Sequence, residues 1–237
     1  MVTGWFYADG SKRVNIAMLN TETSVPADST CIGIRKGGKG WCTLRGNAGA
    51  KVIDFNTPLR VGPDRTINVP AVTGFVTSNY LGLTNDGKKF ILTCRDSGAV
   101  AADVIVHVDL RGNKIAQFAV SDGLVAKLRT VVYLEKQLYA ISEPIPASLN
   151  YEVRVYDLRG VFIRNFALTL GVVYTSITTD GHDLILSAGV TAATQVRTEK
   201  WSVRGARVDP TFIASSAASN YRSGITFNGR YFIQKQF

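Results

Sequence analysis

Few side chains in this sequence have the type and spacing for chemistry of their own. His107 lies mid-segment in "VIVHVD" and His182 in the tight turn "TDGHD". A catalytic metal wants three convergent ligands, and these two histidines belong to strands of opposite kind in different repeats, so a shared site is not expected. Cys31, Cys42 and Cys94 are odd in number and lack paired spacing, which argues against a disulfide framework or a zinc site and for buried, reduced thiols. "GIRKGGKG" (Gly33 to Gly40) has the look of a phosphate loop but lacks the G-K-[ST] ending and a following helix, so it reads as a basic hairpin tip. The hydroxyl-rich "TSITTDG" and "ASSAAS" have no nucleophile-elbow context. What recurs instead is arginine in a fixed frame: Arg111 in "VHVDLRGNKIAQFAV", Arg159 in "RVYDLRGVFIRNFAL" and Arg204 in "EKWSVRGARVDPTFIA".

That frame describes the elements holding it. An Asp opening a tight turn accepts backbone N–H groups, and a Gly closing it takes the positive φ that other residues resist. Asp109 with Gly112, and Asp157 with Gly160, therefore read as structural turn residues of β-hairpins; in a degenerate copy Ser202 replaces the Asp and Gly205 keeps its place. A fourth copy, "KVIDFNTPLRVGPDRTINV", has Asp54 in register and a longer return. A second hairpin precedes each of these, as in "GLTNDGKKFILT" and "SITTDGHDLILS". Its turn positions Gly38, Gly87, Lys136, Gly181 and Gly229 lie 49, 49, 45 and 48 residues apart. Four short strands per unit at this period predict an all-β, five-bladed β-propeller of four antiparallel strands per blade. Strands a to d of the full blades are expected within about 29–76, 77–127, 128–172 and 173–217. The closing blade takes strands a and b from about 221–237 and strands c and d from the N-terminal 1–28, where "TGWFYADGSKRVNIAML" matches the c–d pattern; the ring closes by pairing the two ends, and 1–237 is one domain.

On the motifs "VxVDLRGNKIAQF" and "GITFNGRYF", the chain resembles β-propellers with NHL-like or related repeats. The resemblance spans the whole sequence and implies the fold; the superfold hosts binding, structural and catalytic roles alike. Propellers that hydrolyse glycosides need two carboxylates flanking the scissile bond, and in that group they project from the inner strands. Here the inner strands read "DSTCIGI", "SNYLGL", "KLRTVVY", "VYTSITT" and "NYRSGIT", with only Asp28 acidic, at an edge. The expectation is a non-enzymatic protein with no cofactor and no metal.

With 27 Lys and Arg against 18 Asp and Glu, the formal net charge is +9. Propeller topology puts the a–b and c–d turns on one end, where the sequence gathers Lys12, Arg13, Arg35, Lys36, Lys39, Lys88, Lys89, Arg111, Lys114, Arg159, Arg204, Arg207 and Arg230 as a candidate basic face. The opposite loops, such as "AVTGFVTSNY" and "EPIPASLNYE", are small and low in charge, as interface cores are. At the channel mouth Asn79, Tyr80, Arg129, Tyr174, Tyr221 and Arg222 combine amide, phenol and guanidinium groups that could bind a sugar or a phosphate, or bond to one another.

Three functional classes fit these features. The first is a rigid interaction scaffold or assembly subunit held between protein partners, a phage or virus particle component being one concrete form. The second is a lectin-like carbohydrate binder with repeated pockets. The third binds nucleic acid or another acidic surface through the basic face. The N-terminal "MVTGWFYADGSKR" has no signal-peptide pattern and no apolar run reaches spanning length. A cytoplasmic protein without membrane insertion, open to incorporation into a virus particle, is therefore expected.

Overall fold

The computed structural model describes residues 2–7, 12–16, 31–34, 39–44, 51–56, 65–75, 78–96, 103–120, 127–143, 150–190, 196–213, 225–227 and 231–236. Side chains are described within 67–75, 78–96, 103–120, 128–143, 150–188 and 198–210, and at Ile225. In chain order the strands are β1 (Val2–Tyr7) and β2 (Lys12–Ile16); β3 (Cys31–Ile34), β4 (Lys39–Leu44), β5 (Lys51–Asn56) and β6 (Arg65–Asn68); β7 (Ser78–Asn85), β8 (Lys89–Asp96), β9 (Asp103–Asp109) and β10 (Lys114–Ala119); β11 (Lys127–Leu134), β12 (Gln137–Glu143), β13 (Glu152–Tyr156) and β14 (Phe162–Ala167); β15 (Val172–Thr179), β16 (Asp183–Val190), β17 (Val196–Ser202) and β18 (Arg207–Ile213); and β19 (Ile225–Phe227) with β20 (Tyr231–Gln236). The described fold is all-β. β7–β10, β11–β14 and β15–β18 form three four-stranded antiparallel meanders, each strand bonded to the next. β3–β6 pair in the same manner, and β19, β20, β1 and β2 are hydrogen-bonded in that order.

The second strands of the meanders, β8, β12 and β16, carry apolar residues on both faces and are covered on both sides. Phe90, Leu92 and Cys94 of β8, with Val104, Val106 and Val108 of β9, pack against Ile67, Val69 and Val72 from the end of the preceding unit. Their neighbours Ile91 and Ile105 point the other way, onto Leu128, Val131, Leu138, Ala140 and Tyr156 of the next sheet. Alternation continues there: Tyr139, Ile141, Val153 and Val155 face Tyr174, Leu184, Leu186 and Trp201 beyond. The sheets are thus stacked face to face, and the period of two along each strand supplies both interfaces. Burying one such Leu or Ile side chain contributes about 1.5–3 kcal/mol.

Polar bonds register the stack. The Tyr133 N–H donates to Thr84 Oγ1 at 3.0 Å and the Thr93 hydroxyl to the Arg129 carbonyl at 3.3 Å, joining β7 and β8 to β11. The Ile225 N–H donates to Ser176 Oγ at 3.0 Å, joining β19 to β15.

The turn glycines set how closely the sheets approach. A Cβ on Gly112 would fall 2.7 Å from the Asn68 carbonyl oxygen of β6, one on Gly160 would fall 3.0 Å from Phe118 Cβ of β10, and one on Gly205 would fall 2.6 Å from Phe166 Cγ of β14. Each β9–β10-type turn therefore lies on the outermost strand of the preceding sheet, and its Gly is required by the contact as well as by the turn. Gly205 has φ +93° and a crowded Cβ position, whereas Gly181 has φ +99° with open space around it. Gly181→Ala is expected to cost about 1–2 kcal/mol from backbone conformation alone. Gly205→Ala is expected to cost about 3 kcal/mol or more, because displacement of Phe166 is added. Urea unfolding of both variants measures the gap, and equal losses would refute the contact argument.

Candidate functional site

The turns that carry the recurrent arginines are closed by their own carboxylates. Asp109 Oδ1 accepts from the N–H groups of Arg111 and Asn113, both at 2.8 Å, and Oδ2 accepts from Asn113 Nδ2 at 2.9 Å. The Gly112 N–H returns to the Asp109 carbonyl at 3.1 Å. The Asn113 side-chain amide first, and then the backbone N–H groups, hold the Asp109 carboxyl below its ordinary pKa. Asp157 Oδ1 repeats this with Arg159 N–H at 2.8 Å and Val161 N–H at 2.9 Å. In the third copy Ser202 Oγ keeps a single bond, from the Ala206 N–H at 3.0 Å. Each carboxylate is directed inward at its own backbone, and the arginine beside it is left outward. Arg111, Arg159 and Arg204 are exposed and make no side-chain hydrogen bond or ion pair among the described residues.

The other cations of the candidate basic face divide by use. Lys88 is exposed. Lys89 Nζ lies 3.6 Å from Asp86 Oδ2. Lys114 Nζ donates to Thr73 Oγ1 at 2.8 Å, across the stack. Arg207 donates to Thr169 Oγ1 at 3.1 Å and lies 3.8 Å from Glu199 Oε1. Lys200, which the sequence did not single out, holds both acids of its neighbouring turn, Asp180 at 2.9 Å and Asp183 at 3.2 Å. Lys12 and Arg13 are positions of β2 and Lys39 is a position of β4, and their side chains lie outside the described residues, as do Arg35, Lys36 and Arg230 altogether.

The channel-mouth group does not come together as one site among the described residues. Tyr80 is 2% exposed and its hydroxyl donates to the Pro70 carbonyl at 2.6 Å. Tyr174 is 0% exposed; its hydroxyl donates to Glu199 Oε2 at 2.6 Å and accepts the Thr169 N–H at 3.4 Å. Burial raises the pKa of both phenols. Both are core residues of the stack rather than groups lining an opening. Arg129 pairs with Glu143 at 3.2 Å and lies 5.6 Å from the Tyr151 ring centre. Asn79, half-buried, stands opposite Arg95 in the β7–β8 register. Tyr221 and Arg222 lie outside the described residues.

Two polar clusters escaped the sequence reading. Glu199, fully buried in β17, accepts from Tyr174 and from Trp201 Nε1 at 2.9 Å. Arg95 donates to both oxygens of Asp103, at 2.9 and 3.2 Å, and to the Leu128 carbonyl, while Asp103 Oδ2 accepts the Leu128 N–H at 2.6 Å. That clip ties β8 and β9 to the start of β11. Its sequence signal is an Arg and an Asp flanking one loop as register partners. Cys94 is buried and free, its thiol pushed up to about 12 by burial. His107 is buried in β9, edge-on to Phe118 at 5.2 Å, and its Nε2 has no hydrogen-bond partner. Burial first, and the nearby Lys89 second, lower its pKa to about 4.

No family model matches the chain, and no curated protein matches it. Among solved structures it is similar to the apo form of prolyl oligopeptidase B from Galerina marginata, with a TM-score of 0.49 and 14% identity over 87% of this chain. The match covers 30% of that protein, so this chain spans under a third of its length.

The histidine has a pH consequence. Its folded pKa lies below the ordinary value, so between about pH 4 and about pH 6.5 the folded state binds fewer protons than the unfolded chain. Its contribution to stability is complete above that window and is lost as pH falls through it. Urea unfolding of wild type and His107→Phe at about pH 7 and about pH 4.5 is expected to show the larger acid loss in wild type. Equal losses would remove His107 as a cause.

Proposed function

We propose that the chain is a five-bladed β-propeller with NHL-like repeats, closed by pairing of its two ends, and that it works as a non-enzymatic interaction scaffold or assembly subunit between protein partners. A structural component of a phage or virus particle is one concrete form of that role. Support for the closed ring comes from the β1–β20 pairing of Val2–Tyr7 with Tyr231–Gln236, and from inner strands that neighbour one another in the succession β3, β7, β11, β15, β19 and again β3. Closure removes free sheet edges at the ends of the chain.

The observation that carries the functional reading is the division of polar groups. Asp103, Asp109, Asp157, Asp180 and Glu199 are spent on turns, clips and core bonds. Arg111, Arg159 and Arg204 are left exposed and unpaired among the described residues. Structural use of these five carboxylates, beside three free outward arginines, suits contact with something acidic. The nucleic-acid reading draws on the same arginines and differs in one measurable way: affinity for DNA or RNA would fall steeply with salt through counterion release.

Two measurements test the proposal. Deleting Gly224–Phe237 removes β19 and β20, and the remaining chain is expected to lose cooperative unfolding; a cooperatively folded truncation would overturn the closed ring. Sedimentation of the full chain with its native assembly partners is expected to give a discrete complex. A chain that stays monomeric in their presence would overturn the scaffold.

A further inference from the structure

Four of the outermost strands share an irregularity at one register position, whereas β6 pairs regularly with β5. In β10, Lys114 pairs with Val108 and Ala116 with His107, which leaves Ile115 as an extra residue. In β14, Phe162 pairs with Tyr156 and Arg164 with Val155, leaving Ile163. In β18, Arg207 pairs with Trp201 and Asp209 with Lys200, leaving Val208. In β2, Arg13 holds the same position between Lys12 and Val14. Each of the first three stands six residues after the Asp or Ser that opens its turn and four after the free arginine.

These three bulge residues are exposed aliphatics: Ile115 is 56% exposed, Ile163 45% and Val208 56%. A single exposed Ile needs no explanation. Three at the same bulge in three sheets do, because a bulged residue on an open edge has no packing partner of its own to select a branched apolar side chain. Four residues before each in sequence, on the adjoining turn, is an exposed arginine with no ion partner among the described residues. The combination is an apolar anchor with a guanidinium nearby, repeated around the outer rim.

We propose that this rim docks an acidic, aliphatic-bearing protein segment, with Ile115, Ile163 and Val208 as apolar anchors and Arg111, Arg159 and Arg204 as its charge partners. The inference rests on the scaffold reading and names the surface that reading uses. Charge chooses the partner. A net charge of +9 opposes a second copy of this chain and favours an acidic one. The aliphatic anchors favour protein over nucleic acid, whose interfaces are polar and phosphate-dominated. Strand addition to these edges is opposed by the bulges, which interrupt the ladder, so recognition runs through side chains. Repetition over the sheets adds avidity without new contacts.

The test uses the full chain and three fluorescent probes: a peptide of repeated Glu-Glu-Leu-Gly units, the same peptide with Ser in place of Leu, and an oligothymidylate of equal charge. The leucine peptide is expected to bind most tightly, and Ile163→Ser to weaken it about five- to tenfold, as loss of an interface anchor does. Arg159→Ala is expected to weaken both peptides and to reduce their salt dependence. Thermal unfolding of these surface variants is expected to match wild type. Equal binding of the two peptides, tighter binding of the oligothymidylate, or no peptide binding would overturn the rim. If the Ile115→Ser, Ile163→Ser, Val208→Ser triple variant still forms the native complex, the rim fails while the scaffold stands. If wild type forms none, the scaffold itself fails.

Discussion

The approach of one twisted sheet onto the next is the constraint from which the other features follow. Four-stranded meanders stack face to face only if their connecting turns do not hold them apart. At Gly112, Gly160 and Gly205 the turn backbone rests on the outer strand of the preceding sheet at distances where a Cβ would collide. Because the sheets come that close, their middle strands are covered on both faces, and segments such as "FILTC" and "LYAIS" are apolar almost throughout rather than alternating with polar residues. The same closeness makes buried polar groups expensive unless paired. Glu199 is accordingly supplied with Tyr174 and Trp201, and Asp103 with Arg95 and the Leu128 N–H.

The turn also fixes the surface charge. An Asp carboxylate that caps two backbone N–H groups is directed into its own loop, so the adjacent arginine gains little from it. Lys89 and Lys200 are drawn into bonds within their own sheets, and Lys114 and Arg207 into bonds with the preceding unit. Among the described residues the guanidinium groups left without such a bond include those on the turn tips, Arg111, Arg159 and Arg204. Among the described residues, part of the positive formal charge thus becomes free guanidinium groups at repeated positions.

The repeat was legible because turn chemistry is local. D-L-R-G names an Asp that caps and a Gly that turns, and both do so within four residues. The period of two in the buried strands was equally readable. Face assignment on the inner strands was not. Tyr80 and Tyr174 were expected at an opening, yet each immediately precedes a register shift, between Tyr80 and Gly82 in β7 and between Tyr174 and Ser176 in β15. A one-residue irregularity reverses which face every later side chain uses, and nothing in "SNYLGL" or "VYTSITT" announces it. Glu199 escaped for a related reason: its donors come from another strand and from a Trp two residues on, a convergence that only strand pairing creates. Arg95 and Asp103 were the readable exception, since register partners flanking a loop can be matched on paper.

The irregularities that hid the tyrosines have counterparts on the outer edge, and there they have a second effect. An uninterrupted β10, β14 or β18 would present a row of free N–H and C=O groups to any strand nearby. The bulge breaks that row at the same place in each sheet, so backbone pairing with a partner is disfavoured. It also leaves one residue outside the ladder and open to solvent. Were protection of the edge the whole purpose, a charged or small residue would serve better there than Ile or Val, which add apolar surface to an aggregation-prone edge. Arg13 at the corresponding position of β2 shows that the backbone feature tolerates a charge. The choice of Ile115, Ile163 and Val208 is therefore separable from the bulge that displays them, and it is the side chain, not the strand edge, that points to recognition.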